Sequence, residues 1–366
     1  MSSQQPLPIA IIGAGIGGLS AAISLQRAGF RVQVYEQAPH LRELGGGIGL
    51  RPRTAKILHS WGLEDEYNQY TVRFWAVHTL EGRSGQPLGD LTFPSETEDP
   101  TESWSDAIHR GDLHHLLASQ VPAESIHLSR KCRTIVDHGD HVEIQLTDGG
   151  SEYASAVIGA DGIHSVIRPL ICQRQDHAMY SGLQSHRGVL LMERVQDLLP
   201  RHLPCAWQME ETRSLFIVLP LRKGSYVSLD ALLPVVQAGE ESWRSMMARD
   251  ALVEKLAGFD PVVPEIVRRM EEIEVPVLSV YDRDPITRWT SNRITLLGDA
   301  AHPMLPSEGQ GANQAIQDAV VLADCLHGVD LDGIPAALQR YSDTRIPITS
   351  EIHRKSRARH TDRMQK

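Results

Sequence analysis

One stretch, Ile9 to Ser20, restricts what this chain can fold into more than any other. Ile9, Ala10, Ile11 and Ile12 form an apolar run that reads as a short buried strand. It passes directly into Gly13-x-Gly15-x-x-Gly18, and the apolar-periodic segment Leu19 to Ala28 then predicts a helix. Each glycine has a physical task. Gly13 permits the tight turn, Gly15 lets backbone approach a pyrophosphate, and Gly18 lets helix and strand pack closely. A diphosphate would rest against free N–H groups at the positive end of the helix dipole. A second strand, Phe30 to Tyr35, ends in Glu36, about 20 residues beyond the glycines, where an acid can bind a ribose 2′-hydroxyl. Glycine-rich turns are common, but here strand, helix and terminal acid all agree. The segment predicts a Rossmann-like α/β domain that holds an ADP-containing dinucleotide.

With 366 residues the chain can bury a large core, and two domains are the natural expectation. A net charge of −10 and the lack of a basic tract argue against a nucleic-acid partner. Cys132, Cys172, Cys205 and Cys325 are scattered, as expected for reduced thiols in a cytoplasmic protein. None of the 17 histidines falls in a metal-ligand pattern, so no metal site is expected. The leading residues 1–8 are too short and polar for a signal peptide, and no apolar run is long enough to span a bilayer. The basic tail, Arg357 to Lys366, is expected to fray.

Further along, Leu41 to Pro52 contains five glycines or prolines, which predicts a loop whose backbone approaches something closely. A helix is expected over Thr54 to Trp61 and strands over 72–82 and 88–93. In Ile108 to Leu117, Asp112 reads as an N-cap, with Arg110 just ahead of the helix. Taken alone, Arg110 would pass for a solvated surface residue. A hairpin follows, with its turn at Asp137 to Asp140. Then Ala156 to Arg168 repeats the pattern of an apolar strand ending in glycine and acid, here Asp161 and Gly162, with Ser165 placed to cap the next turn. From 173 to 286 short β-like runs alternate with polar turns, interrupted by one helix at about Glu240 to Leu256. A third such strand begins at Arg293 and leads through Asp299 and Pro306 to Gly309, Gly311 and a helix over Gln314 to Leu326. A last helix is expected from Ile334 to Arg359, with Pro335 at its start.

Three such turns cannot each hold a dinucleotide of its own. The economical arrangement is one extended FAD, its nucleotide end at the first motif and its flavin end at the third, where the Gly309–Gly311 turn opens a helix N-terminus. With these motifs in this order, the chain resembles the single-component FAD-dependent aromatic monooxygenases, the salicylate hydroxylase-like branch of the p-hydroxybenzoate hydroxylase fold family. The resemblance spans roughly residues 8 to 350. It implies a FAD-binding domain of the glutathione-reductase type, assembled from 1–71, 103–172 and 287–330. It also implies a sheet-rich substrate domain, 72–102 and 173–286, that roofs the substrate, and a C-terminal helical segment, 331–366. The implied chemistry is reduction by NADPH or NADH, reaction with O2, and hydroxylation of a small electron-rich aromatic substrate. No His or Cys stands in a flavin-linking motif, so the FAD is expected to be non-covalent. Monomer and homodimer both remain open.

Carried over residue by residue, the resemblance gives Gly13, Gly15, Gly18 and Glu36 to the adenosine half. It places Arg42 beside the ribityl and ribose, with Gly47 in the same glycine-rich loop, and Arg110 against the flavin chain. Asp161 and Gly162 match the Asp-Gly motif tied to FAD and NAD(P)H, and Asp299 the aspartate of the ribityl hydroxyls. Pro306 matches the proline lining the pocket where oxygen meets the flavin, and Gly309, Gly311, Ala312 and Asn313 run along the ring. For the substrate, Ser181-Gly182-x-x-x-x-Arg187-Gly188 resembles a strand whose arginine can hold a phenolate or carboxylate. A surface salt bridge is the plainer role for Arg187. Tyr226 and His186 are candidates for a phenol-deprotonating base.

Three positions depart from the family pattern: Arg53-Thr54 after Pro52, Ser307-Glu308 after Pro306, and Leu219 where a tyrosine is common. Rival activities are a flavin epoxidase or dearomatising monooxygenase of secondary metabolism and, with no Trp-x-Trp-x-Ile-Pro in the chain, less favourably a halogenase.

Overall fold

The computed structural model describes residues 6–41, 45–96, 99–172, 176–200, 203–236 and 245–365, with side chains described through residue 358. The chain divides into two compact units. The first comprises residues 1–42, 114–179 and 282–358, and the second 43–113, 180–281 and 359–366. Residues 43–71 and 103–113 thus group with the sheet-rich part of the chain, and 331–358 with the fingerprint.

In the first unit six strands form one sheet in the order 290–291, 294–296, 156–159, 9–12, 32–35 and 126–127. All neighbours are parallel except the short edge strand Thr290–Ser291. Ile9–Ile12 and Ala156–Gly159 are buried along their whole length, as central parallel strands must be when both faces are covered. The helix Ile16–Arg27 packs against the helix Gly311–Leu326. A Cβ on Gly18 would come within 1.9 Å of the Gly13 carbonyl oxygen, so only glycine lets helix and strand approach this closely.

The second unit is built on an eight-stranded sheet, ordered 246–248, 274–282, 179–191, 226–234, 214–221, 205–209, 76–81 and 87–92. Alternation along Ser214–Leu221 sends Phe216 and Val218 to one face and Ile217 and Leu219 to the other. The first face is covered by the helices Arg249–Lys255 and Val262–Arg268, and Trp207, Phe216, Leu229, Leu252 and Ile266 fill the core there. Truncating a buried aromatic such as Phe216 costs roughly 3–5 kcal/mol. A three-stranded antiparallel sheet, ordered 47–50, 105–109 and 72–74, belongs to the same unit.

The structure corrects several local expectations. The glycine-rich stretch is not all loop, since Gly47–Leu50 pairs with Ser105–His109. The helix expected at about 240–256 is a strand, Met246–Ala248, followed by Arg249–Lys255, while 237–244 lie outside the described residues. The last helix runs Ile334–Gln365, so backbone expected to fray continues as helix.

Candidate active site

The parallel register decides the geometry of the first unit. Ile12 pairs with Gly159, and Gly159 with Leu296, so three neighbouring strands end level. The turns that follow them, at Gly13, at Asp161-Gly162 and at Gly298-Asp299, therefore leave the sheet along the same edge. Ligands of open α/β sheets bind outside this carboxyl edge.

Along the first turn Gly13 has φ +102°, and a Cβ there would lie 2.5 Å from the Ala160 carbonyl oxygen. Gly15 is different. Its φ is −72°, and an added Cβ would meet nothing within 4 Å, so the space in front of it is open. Glu36 follows the strand Val32–Tyr35 and accepts the N–H groups of Ala14 and Ala38, each at 2.8 Å.

At the second turn Asp161 Oδ2 accepts the Val166 N–H at 2.8 Å, while Oδ1 is buried without a partner among the described residues. Burial pushes this carboxyl above the usual carboxylate range, against the opposing pull of Ser165 and the Val166 amide. Ser165 caps the helix Arg168–Cys172 by accepting the N–H groups of Ile167 and Arg168. The Arg168 guanidinium, almost wholly buried, donates to the carbonyls of Ala300 and Ala301 and pairs with Asp176. It thereby ties the second turn to the third.

In the third turn Gly298 has φ +61°, and Asp299 is exposed, its carboxylate beside Gly311. Pro306 begins a single 3-10 turn, Pro306–Glu308, and is exposed. Gly309 follows at φ +63°, and its carbonyl accepts from the fully buried Asn313 side chain at 3.0 Å. Asn313 thus braces the Gly309 turn, while Gly311 and Ala312 open the helix. Behind the turn, Asp318 is fully buried and accepts from His302 Nε2 and Arg345 Nε, each at 2.6 Å, and from the Gly298 N–H at 3.1 Å. Burial would push its carboxyl up, but His302 and Arg345 hold it down to about 2. Ser307 donates to the Ser356 carbonyl at 2.8 Å, so this departure from the family pattern docks the last helix.

In the second unit Arg187 lies on the face opposite the two helices. Its Nε donates to Ser185 Oγ at 2.9 Å and to Asp230 Oδ2 at 3.0 Å, on the neighbouring strand. Arg187 and Asp230 are 17% and 18% exposed, so the pair is partly buried rather than a solvated surface bridge. Close by, the Gly47 N–H donates to Ser228 Oγ at 2.7 Å, and a Cβ on Gly46 would sit 3.2 Å from Arg187 Cδ. Arg110 packs its stem against Gly45 and donates its N–H to the Gly46 carbonyl. Gly47, Arg110 and Arg187 therefore gather around one glycine-rich segment, with Leu219 against Gly47.

Other placements differ from expectation. Arg110 is the first residue of the helix Arg110–Ser119, and Asp112 is not its cap. The Asp112 carboxylate instead takes a two-pronged hydrogen bond from Arg222 at 2.7 and 2.8 Å. His186 points into the helix-covered core, where burial lowers its pKa, so it does not share the face of Arg187. Tyr226 packs half-buried against the small cluster of Phe74, Val77, Ala107, Ala206 and Leu221, with the Arg222 guanidinium 5.0 Å from its ring. Arg53 donates to the Glu96 carbonyl. Arg42 lies outside the described residues.

Residues 7–356 match the model of the FAD binding domain family. The chain belongs to this family of FAD-dependent aromatic monooxygenases. Over 359 residues it is 36% identical to a 3-amino-4-hydroxybenzoate 2-monooxygenase of Streptomyces platensis, covering 98% of this chain and 89% of the relative. It is 31% identical over 356 residues to the 6-hydroxynicotinate 3-monooxygenase of Bordetella bronchiseptica, covering 95% and 90%. Among solved structures, the HpxO protein of Klebsiella pneumoniae in complex with FAD and uric acid matches with a TM-score of 0.86 at 25% identity, over 98% of this chain and 89% of that one. As in this family, the cofactor is FAD and the co-substrate NAD(P)H. The first unit fits FAD on its own geometry. Space stands open at Gly15, Gly162 and Gly309, and the buried Asp161 Oδ1 lacks a partner among the described residues. Among the described residues no helix is long and apolar enough to cross a membrane.

Sequence reasoning missed Asp318, Arg345, Arg168 and His114 as site-building residues. None of the four stands out in the sequence: Asp318 shares its helical stretch with Gln314, Gln317 and a second acid, Asp324.

Proposed function

We propose that this monooxygenase hydroxylates a small aromatic acid whose ring carries an electron-donating hydroxyl or amino group. Arg187 carries the reading. A guanidinium fixed in place by Asp230 and Ser185 beside Gly46 and Gly47 is suited to a carboxylate or phenolate. Two relatives are named for aromatic acids of this kind, 3-amino-4-hydroxybenzoate and 6-hydroxynicotinate.

Roles follow for the remaining residues. Gly13, Gly15, Gly18 and Glu36 receive the adenosine diphosphate half, Asp161 and Gly162 border its path, and Asp299 accepts from the ribityl hydroxyls. Gly309, Gly311, Ala312 and Asn313 shape the backbone beside the flavin ring, with Pro306 on the oxygen side. Arg42, Gly47 and Arg110 serve the flavin chain, and Tyr226 remains the candidate for taking up a phenolic proton. Bound FAD, reduced by NAD(P)H, supplies the activation of O2. The protein's own contribution is to hold the ring, keep its substituent anionic and exclude water. The reading carries with it a cytoplasmic enzyme, monomeric or homodimeric.

The test is a panel of hydroxy- and aminobenzoates, hydroxynicotinates and urate, scored for stimulation of NAD(P)H oxidation and for one atom of 18O2 in the product. Aromatic acids should stimulate. A response confined to urate, or product without label, would overturn the reading.

A further inference from the structure

We propose that His114 is a positioning residue for the pyrophosphate of FAD, acting through the backbone of Ala14. The imidazole lies 6% exposed, and its Nε2 is 2.7 Å from the Ala14 carbonyl oxygen, across 100 residues of chain. A carbonyl only accepts, so Nε2 carries the proton and donates. On the other side of the same residue, the Ala14 N–H is held by Glu36 at 2.8 Å. Next to it, the Gly13 N–H donates to the Tyr35 carbonyl at 2.8 Å and the Gly15 carbonyl accepts the Leu19 N–H at 2.9 Å.

The Ala14 carbonyl and the Gly15 N–H belong to one planar, trans peptide group and point in opposite directions. Fixing the carbonyl on His114 therefore fixes the direction of the Gly15 N–H, which is turned away from the imidazole. Gly15 is the residue in front of which space is open, and its backbone is the one a pyrophosphate approaches. His114 thus sets the aim of an amide that it does not itself touch. A preorganised donor binds an anion better than one that must reorient, because ordering is not charged against binding.

The inference rests on the pyrophosphate reading of Gly15. The experiment uses full-length protein, with FAD release followed by the rise of flavin fluorescence on dilution and ADP as competitor. In His114→Phe no donor remains, and in His114→Asn the amide nitrogen is too short to reach. His114→Gln places its amide nitrogen where Nε2 lies. The first two variants should weaken FAD and ADP about tenfold and leave adenosine unaffected, a split that a loss of stability alone would not produce. Gln should restore most of the affinity. Unchanged FAD affinity in both Phe and Asn overturns the proposal, as does equal weakening by Gln. Gly15→Val separates the two layers: if it retains FAD, the reading of the fingerprint fails. If it loses FAD while His114→Phe and His114→Asn keep theirs, only the His114 proposal fails.

Discussion

Asp318 accepts the backbone N–H of Gly298 at 3.1 Å, across 20 residues of chain. The same carboxylate lies between His302 and Arg345, both almost fully buried. A buried anion with two such neighbours and a backbone donor is satisfied on every side, which is the condition for tolerating a charge in the core. It holds still the turn that carries Asp299.

Asp318→Asn should therefore destabilise the protein by about 3–5 kcal/mol near neutral pH, because Arg345 is left buried without its counter-charge. The carboxyl is held down to about 2 in the folded chain, below its ordinary value of about 4. A lowered folded-state pKa contributes stability that is complete above the unfolded value and disappears as pH falls through the folded one. Urea midpoints of wild type and variant should converge between about pH 4 and pH 2. A gap that stays constant down to pH 2 would remove Asp318 as its source.

Two glycines of the fingerprint should fail in different ways. At Gly15 the backbone suits any residue and a Cβ meets nothing within 4 Å, so Gly15→Val should fold normally yet purify without FAD. At Gly18 the Cβ would lie 1.9 Å from the Gly13 carbonyl oxygen, so Gly18→Ala should lower the melting temperature or abolish folding. Absorbance at the flavin band together with a melting curve reads both. Stoichiometric FAD in Gly15→Val would count against the cradle.

Asp299 is exposed and stands beside Gly311. Charge-assisted hydrogen bonds contribute about 1.5–3 kcal/mol, so Asp299→Ala should weaken FAD by roughly 10- to 100-fold. Titration of FAD into the stripped protein checks this, and an unchanged dissociation constant would place the carboxylate away from the ribityl chain.

Removing Arg187 does two things, since Asp230 loses its cation and keeps only the Ser185 hydroxyl at 2.6 Å. Arg187→Ala should lower kcat/KM for an aromatic acid by roughly 30- to 1,000-fold, from about 2–4 kcal/mol of lost transition-state binding. Arg187→Lys should recover only part, because an ammonium lacks the planar fork. Asp230→Asn measures the other half of the pair. A purely structural bridge would lower the melting temperature and leave near-normal turnover in all three variants.

Much of the fold is legible from residues because its signals are local. An apolar run ending in Gly and Asp names a buried strand and its turn, and three of them in order name one cradle. The devices that hold the cradle still are not local. Arg168 reaches the Ala301 carbonyl across 133 residues, and His114 reaches Ala14 across 100. No periodicity records such pairs. Asp112 shows the same limit from the other side. Its position suggests a cap, but Arg222, 110 residues later, offers two charged hydrogen bonds where a cap offers one. His186 and Arg187 are neighbours in sequence, and the period of two sends them to opposite faces. Only the burial pattern says which face is core.

The level ends of the three parallel strands have a consequence for how the protein is made. Synthesis delivers Ile9–Ile12 first and Ile294–Leu296 roughly 280 residues later, a wait of about 15–60 s at ordinary translation rates. Through that interval the first fingerprint exists as sequence but not as a site. Its strand lacks Ala156–Gly159 on one side until the middle of the chain has emerged, and an unpaired apolar strand is an open invitation to wrong partners. Arg345, which completes the brace on Gly298 through Asp318, arrives later still. The cradle for FAD is therefore complete only once the chain through Arg345 has been made.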